Sequence, residues 1–173
     1  MCAGPKLGNP TTSTRLGEPL YYTGLDHVGF AVSNLDQSVE WYSRFLDEPP
    51  VLRKTWDVEY VGRIVGYPGV KMEGAFWRLP GGTVLELLQY LYPDPGRVDM
   101  ETYNVGNAHL CLVVDDLDAD FERLRDRVEF RDPEPVEIPW GPYTGGKACY
   151  LRDPDGISIE LMQLPAGGPR LEE

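Results

Sequence analysis

At 173 residues, 42% apolar and 25% charged, the chain is long enough to bury a core and has the balance of an ordinary soluble globular protein. A net charge of −12 speaks against nucleic acid and anionic membrane surfaces as partners, since both need a concentrated basic patch. No run approaches the roughly 18 apolar residues of a membrane span, the N-terminus lacks the apolar core of a signal peptide, and three cysteines (Cys2, Cys111, Cys149) without CxxC spacing read as buried or idle thiols, so a cytoplasmic location is expected.

Residues 1–20, rich in Gly, Pro and polar types, predict a disordered tail. A first module is expected over 21–92. It opens with a strand in LDHVGFAV, and Ser33-Asn34 then offer a helix cap, with Gln37 three residues on as a capping box. Leu35, Val39, Tyr42 and Leu46 follow at i, i+4, i+7 and i+11, one apolar stripe of a helix. Strands are expected near 56–67, 71–79 and 83–91, the last two joined as a hairpin by Pro80-Gly81-Gly82.

A linker is expected over 93–104 and a second module over 105–164. NAHLCLVV supplies its first strand, Asp115-Asp116 the cap, and Leu117, Phe121, Leu124 and Val128 the helical stripe. Strands near 136–138, 147–152 and 157–164 follow, with Asp153-Pro154-Asp155-Gly156 as the hairpin turn. Residues 165–173 predict a second loose tail. The order is β-α-β-β-β, twice: an α+β fold of two tandem modules forming a cupped mixed sheet.

The duplication is visible in the letters. RLPGGTVLELLQ (78–89) and RDPDGISIELMQ (152–163) share six of twelve positions at an offset of 74, and DHVGFAVSNLDQ aligns with AHLCLVVDDLDA at an offset of 82. The chain's two histidines, His27 and His109, occupy one repeat position, and Glu86 and Glu160 occupy another, each on a strand flanked by leucine or isoleucine. A carboxylate projecting from an apolar strand is costly to desolvate unless something pairs with it. Alone, a strand histidine is more often packed than ligating. Four strong donors at equivalent positions of two repeats instead point to a divalent cation held by His27, Glu86, His109 and Glu160, with positions open for water or substrate.

These segments resemble the vicinal oxygen chelate superfamily, which includes glyoxalase I, methylmalonyl-CoA epimerase, extradiol dioxygenases and fosfomycin- and bleomycin-resistance proteins. The resemblance runs from about Tyr22 to Leu164, and RDPDGISIELMQ looks like that family's closing strand. It implies a cup around a metal site, a small-molecule substrate and a homodimer, with the cup completed across the dimer in some relatives. The His, Glu, His, Glu set is similar to glyoxalase I, and implies isomerisation, epimerisation or elimination on a small hydroxy- or keto-carbonyl compound, with Glu86 or Glu160 as base. Zn, Ni, Co, Mn or Fe would serve. The alternatives are an Fe(II) extradiol dioxygenase, which needs only His27, His109 and Glu160, and a metal-free binding or resistance protein.

Further candidates are weaker. Trp77, Tyr90, Trp140 and Tyr143 are candidates to line the cup, with core packing as the competing role. Arg78 and Arg152 are candidate anion clamps, with ordinary strand-end solvation as the competing role. The Gly- and aromatic-rich loop 138–147 offers a lid, and Lys147 after Gly145-Gly146 resembles the Gly-Lys before the penultimate strand of glyoxalase I. Cys111, two residues after His109, reads as a small buried hydrophobe.

Overall fold

A computed structural model describes residues 23–168. The N-terminal tail over 1–20 with Cys2, and most of the C-terminal tail, lie outside the described residues.

In the first half, β1 (His27–Ala31) leads to α1 (Leu35–Leu46), then β2 (Leu52–Trp56), α2 (Glu59–Val65), β3 (Lys71–Arg78) and β4 (Val84–Tyr92). In the second, β5 (His109–Val113) leads to α3 (Leu117–Leu124), β6 (Glu129–Phe130), β7 (Val136–Glu137), β8 (Lys147–Arg152) and β9 (Ser158–Gln163). The first sheet has the order β1-β4-β3-β2; the second is β5-β9-β8-β6, with β7 also on β8. Both are mixed. β1 runs parallel to β4 and β5 parallel to β9, while β3/β4 and β8/β9 are antiparallel hairpins.

The helices begin where capping chemistry allows. Asn34 Oδ1 accepts from Gln37 N at 3.0 Å, and Asp116 Oδ1 accepts from Ala119 N at 3.0 Å. A second device repeats as well: Gln89 Oε1 accepts from Leu35 N at 2.7 Å, and Gln163 Oε1 from Leu117 N at 2.9 Å. Each β-strand glutamine thus satisfies an orphan N–H of the helix packed on its own sheet. α1 stops at Asp47, which takes the left-handed conformation.

Both modules share one core. Leu35, Tyr42 and Phe45 of α1, Leu117, Phe121 and Leu124 of α3, Leu85 and Leu87 of β4, and Ile159 and Leu161 of β9 belong to a single buried cluster. Alternation along the strands therefore turns the even-numbered residues of β4 and β9 away from that core.

The α+β fold of two tandem modules with mixed sheets is as expected, and one expectation needs correcting. The span 56–67 is not a strand. β2 ends at Trp56 and α2 follows, with Val61 and Val65 four residues apart packing on Met72, Leu88 and Tyr90. α2 thereby covers part of the first sheet's outward face.

Candidate metal centre

His27 starts β1 and lies opposite Val84 in the parallel ladder, with Gly29 opposite Glu86 one step on. Alternation puts His27 and Glu86 on the same outward face, and His27 Nε2 stands 3.7 Å from Glu86 Oε2. The other ring nitrogen, Nδ1, is 2.8 Å from Asp26 Oδ2. A carboxylate on Nδ1 orients an imidazole and leaves Nε2 facing the site. The hydrogen bond to Asp26, with the charge of Glu86 behind it, raises the pKa of His27.

The second half repeats the layout at closer range. His109 Nε2 is 3.1 Å from Glu160 Oε2. Tyr150 lies directly across from Glu160 on β8, and its hydroxyl donates to Glu160 Oε2 at 3.0 Å and lies 3.2 Å from His109 Nε2. Burial, reinforced by Glu160, pushes the phenol up to about 12. Cys111 faces Glu160 across the β5/β9 ladder. It is exposed, not a buried hydrophobe, and its thiol is pushed up to about 12 by desolvation and then by the charge of Glu160. The buried thiol is Cys149.

The donor chemistry suits a divalent ion in halves. Two donors at about 2.1 Å from one ion, at a right angle, stand about 3 Å apart. The His109–Glu160 pair matches that spacing and the His27–Glu86 pair is somewhat wider. The four do not meet in one chain. Among the described residues no three His, Cys, Asp or Glu side chains gather closely enough to hold an ion. The physical reason is the shared core, from which the two outward faces point away.

The other candidates are scattered. Trp77 is 1% exposed in the core, where its indole Nε1 donates to Glu48 O at 3.0 Å; its odd position on β3 turns it from the outward face. Lys147 pairs with Asp118 on α3, again on the helix side. Tyr90 shares the face of Glu86 but packs under α2. Arg78 is exposed at the end of β3, bordering a groove between the modules, and Tyr143 is half-buried in the β7–β8 connection. Trp140, at the tip of that connection, is 81% exposed.

Sequence reading missed Tyr150 and Trp56. Tyr150 was legible, since alternation places it on the face of Glu160, with Phe76 at its repeat position. Trp56 lies against Phe76 with ring centroids 5.8 Å apart and over Gly74, forming an aromatic wall beside Glu86.

The intermodule groove, about 710 Å³, is a separate feature. It is lined by core-side residues such as Phe45, Trp77 and Leu124, together with Val28 of β1, Leu110 to Val113 of β5 and Val114 just after it. β1 and β5 each end their sheets, so two free strand edges border the same groove.

Comparison with known proteins identifies the family and the fold. A 2-epi-5-epi-valiolone epimerase from Actinomyces is 32% identical over 149 residues, covering 83% of this chain and 80% of the relative. A probable lactoylglutathione lyase from Vibrio cholerae is 32% identical over 143 residues, covering 79% and 88%. Among solved structures, a glyoxalase family protein from Bacillus cereus superposes with a TM-score of 0.68 at 22% identity, covering 84% of this chain and 97% of that one. A family model described as Glyoxalase/Bleomycin resistance protein/Dioxygenase superfamily matches residues 24–161, and the chain belongs to that superfamily.

Proposed function

We propose that this protein is a metal-dependent isomerase, epimerase or lyase that moves a proton at a carbon beside a carbonyl. It works as a homodimer in which each site takes His27 and Glu86 from one copy and His109 and Glu160 from the other. The observation that carries the reading is the duplication of the imidazole–carboxylate pair on two outward faces that do not meet among the described residues. The two free edges, β1 and β5, border one groove, so a single partner copy related by a twofold axis can engage both and complete two sites at once.

His27, Glu86, His109 and Glu160 would hold a divalent ion, whose positive charge next to the substrate carbonyl would make the neighbouring C–H acidic enough to transfer. The chain's own residues do the rest. His27, oriented by Asp26, and His109 hold donor nitrogens at fixed positions; a glutamate accepts the proton; Trp56 and Phe76 exclude water on one side. Epimerisation is the narrower reading, supported by the Actinomyces relative, and the named lyases are compatible with the same proton transfer.

Complementation tests the reading. His27→Ala and His109→Ala, each alone, are expected to lose bound metal. After unfolding and refolding together, half of the dimers are mixed, each with one intact site, so metal content should return to about a quarter of the wild-type value. No recovery on mixing, with both single variants folded and dimeric, would exclude a shared site.

A further inference from the structure

We propose that the two halves of this site are unequal: Tyr150 is a positioning residue that anchors Glu160 and His109, and Glu86 is the labile carboxylate arm. The inference rests on the metal-centre reading above.

The repeat supplies an internal control. The offset of 74 pairs Phe76 with Tyr150, and the offset of 82 pairs Gly29 with Cys111. In the second half the phenol hydroxyl donates to Glu160 at 3.0 Å and reaches His109 at 3.2 Å, with its ring edge-on to the imidazole at 5.3 Å. Cys111 closes the other flank of Glu160. A neighbour on each adjacent strand thus restrains that carboxylate.

In the first half the same places are held by groups that restrain nothing. Phe76 lies across from Glu86 and has no hydroxyl to donate. Gly29 has no side chain, and a Cβ built there would come 3.0 Å from Glu86 Oε2. Among the described residues Glu86 accepts no hydrogen bond; its nearest polar neighbour is His27 Nε2 at 3.7 Å. Its side chain is 19% exposed against 10% for Glu160. A carboxylate without a partner, above an open glycine floor, changes rotamer at small cost, whereas one held by a phenol must first break a charge-assisted hydrogen bond.

The difference assigns roles. A carboxylate that both ligates and removes a proton must detach to do the second. Glu86 can detach: the substrate C–H bond breaks, an O–H bond forms on Glu86, and the electron pair delocalises onto the carbonyl oxygen. Glu160 and His109 keep their geometry meanwhile.

Cobalt(II) alone is the probe, its affinity read by competition with a chelator and its surroundings by the visible spectrum. Tyr150→Phe is expected to weaken Co(II) binding by about 10- to 100-fold and shift the spectrum, the size typical of losing a group that orients ligands. Phe76→Tyr, which gives the first half the missing phenol, should hold Co(II) at least as tightly as wild type. Glu160→Gln should weaken binding at least about tenfold more than Glu86→Gln. Wild-type affinity in Tyr150→Phe, or equal losses in the two glutamine variants, would overturn the inference while leaving the metal centre standing. A wild-type protein that takes up no Co(II) would overturn both. If Tyr150→Phe melts early in its metal-free form, the comparison of the two glutamine variants decides alone.

Discussion

The Tyr42 hydroxyl donates to Asp153 Oδ2 at 3.2 Å, a buried bond between the helix of the first module and the hairpin turn of the second. Asp153 also accepts from Asp155 N at 2.9 Å and Ile157 N at 2.8 Å, so one carboxylate both shapes its own turn and ties the modules together. The repeat places Leu79 at the corresponding position, so the tie has no counterpart in the first hairpin.

Burial of that carboxylate sets a pH dependence. Burial pushes Asp153 from 3.8 to about 6, outweighing its three hydrogen bonds. The folded protein therefore holds this proton more tightly than the unfolded chain does. Its contribution to stability is full below about pH 4, falls as the pH rises to about 6 and is flat above. Urea unfolding of the metal-free protein at pH 4, 5 and 6.5 should show wild type losing ground against Asp153→Asn by up to about 3 kcal/mol across that window. A constant difference between the two proteins would mean that Asp153 does not titrate there.

Glu86→Gln should leave the protein folded yet abolish solvent deuterium exchange into a substrate carbon beside a carbonyl, because the amide cannot take the proton. Mass spectrometry of recovered substrate reads this directly. Full exchange in the variant would remove Glu86 from the chemistry.

No oxygen should be consumed during turnover. If His27, Glu86, His109 and Glu160 all hold the ion as proposed, a six-coordinate metal would keep two positions, enough for a substrate chelating through two oxygens. An oxygen electrode with the Fe(II)-reconstituted protein and a panel of catechols provides the check. Stoichiometric uptake with a yellow ring-cleavage product would move the protein to the dioxygenase branch of its superfamily.

Gly74→Ala should destabilise the first sheet. A Cβ there would stand 2.7 Å from the Trp56 ring and 3.0 Å from Leu88, so the aromatic wall must shift, at a cost of about 1–3 kcal/mol. Thermal unfolding measures the loss, and it should shrink in a Trp56→Ala background. Equal losses in both backgrounds would show that Trp56 is not what the methyl meets.

The sequence disclosed what repetition and alternation encode. Two halves, the caps at Asn34 and Asp116 and the hairpin turns were legible from spacing, as was the placing of each strand histidine beside a glutamate. α2 was not, because in EYVGRIV the β-branched residues read as a strand until tertiary packing of Val61 and Val65 on Met72 decides for a helix. The identical glutamines at 89 and 163 were visible as letters, but their role depends on which helix N–H lies within reach. Nor does periodicity say which way two sheets face each other. Trp77 shows the consequence: its strand was foreseen and its side of the strand was not.

The segment between the halves is more than a tether. Glu101 accepts from Arg152 Nη2 at 2.6 Å and from Arg131 Nη2 at 2.7 Å, and the Asn107 side chain donates back to Glu101 O at 2.9 Å. Two guanidinium groups of the second module are thus engaged by the connector, and Arg152 is not free to clamp a substrate anion. Any scheme that expresses the two halves as separate polypeptides should therefore cut upstream of Asp99 and leave Glu101 with the second half. A cut after Asn107, tidy by strand boundaries, would strip that half of the acid that neutralises its own sheet.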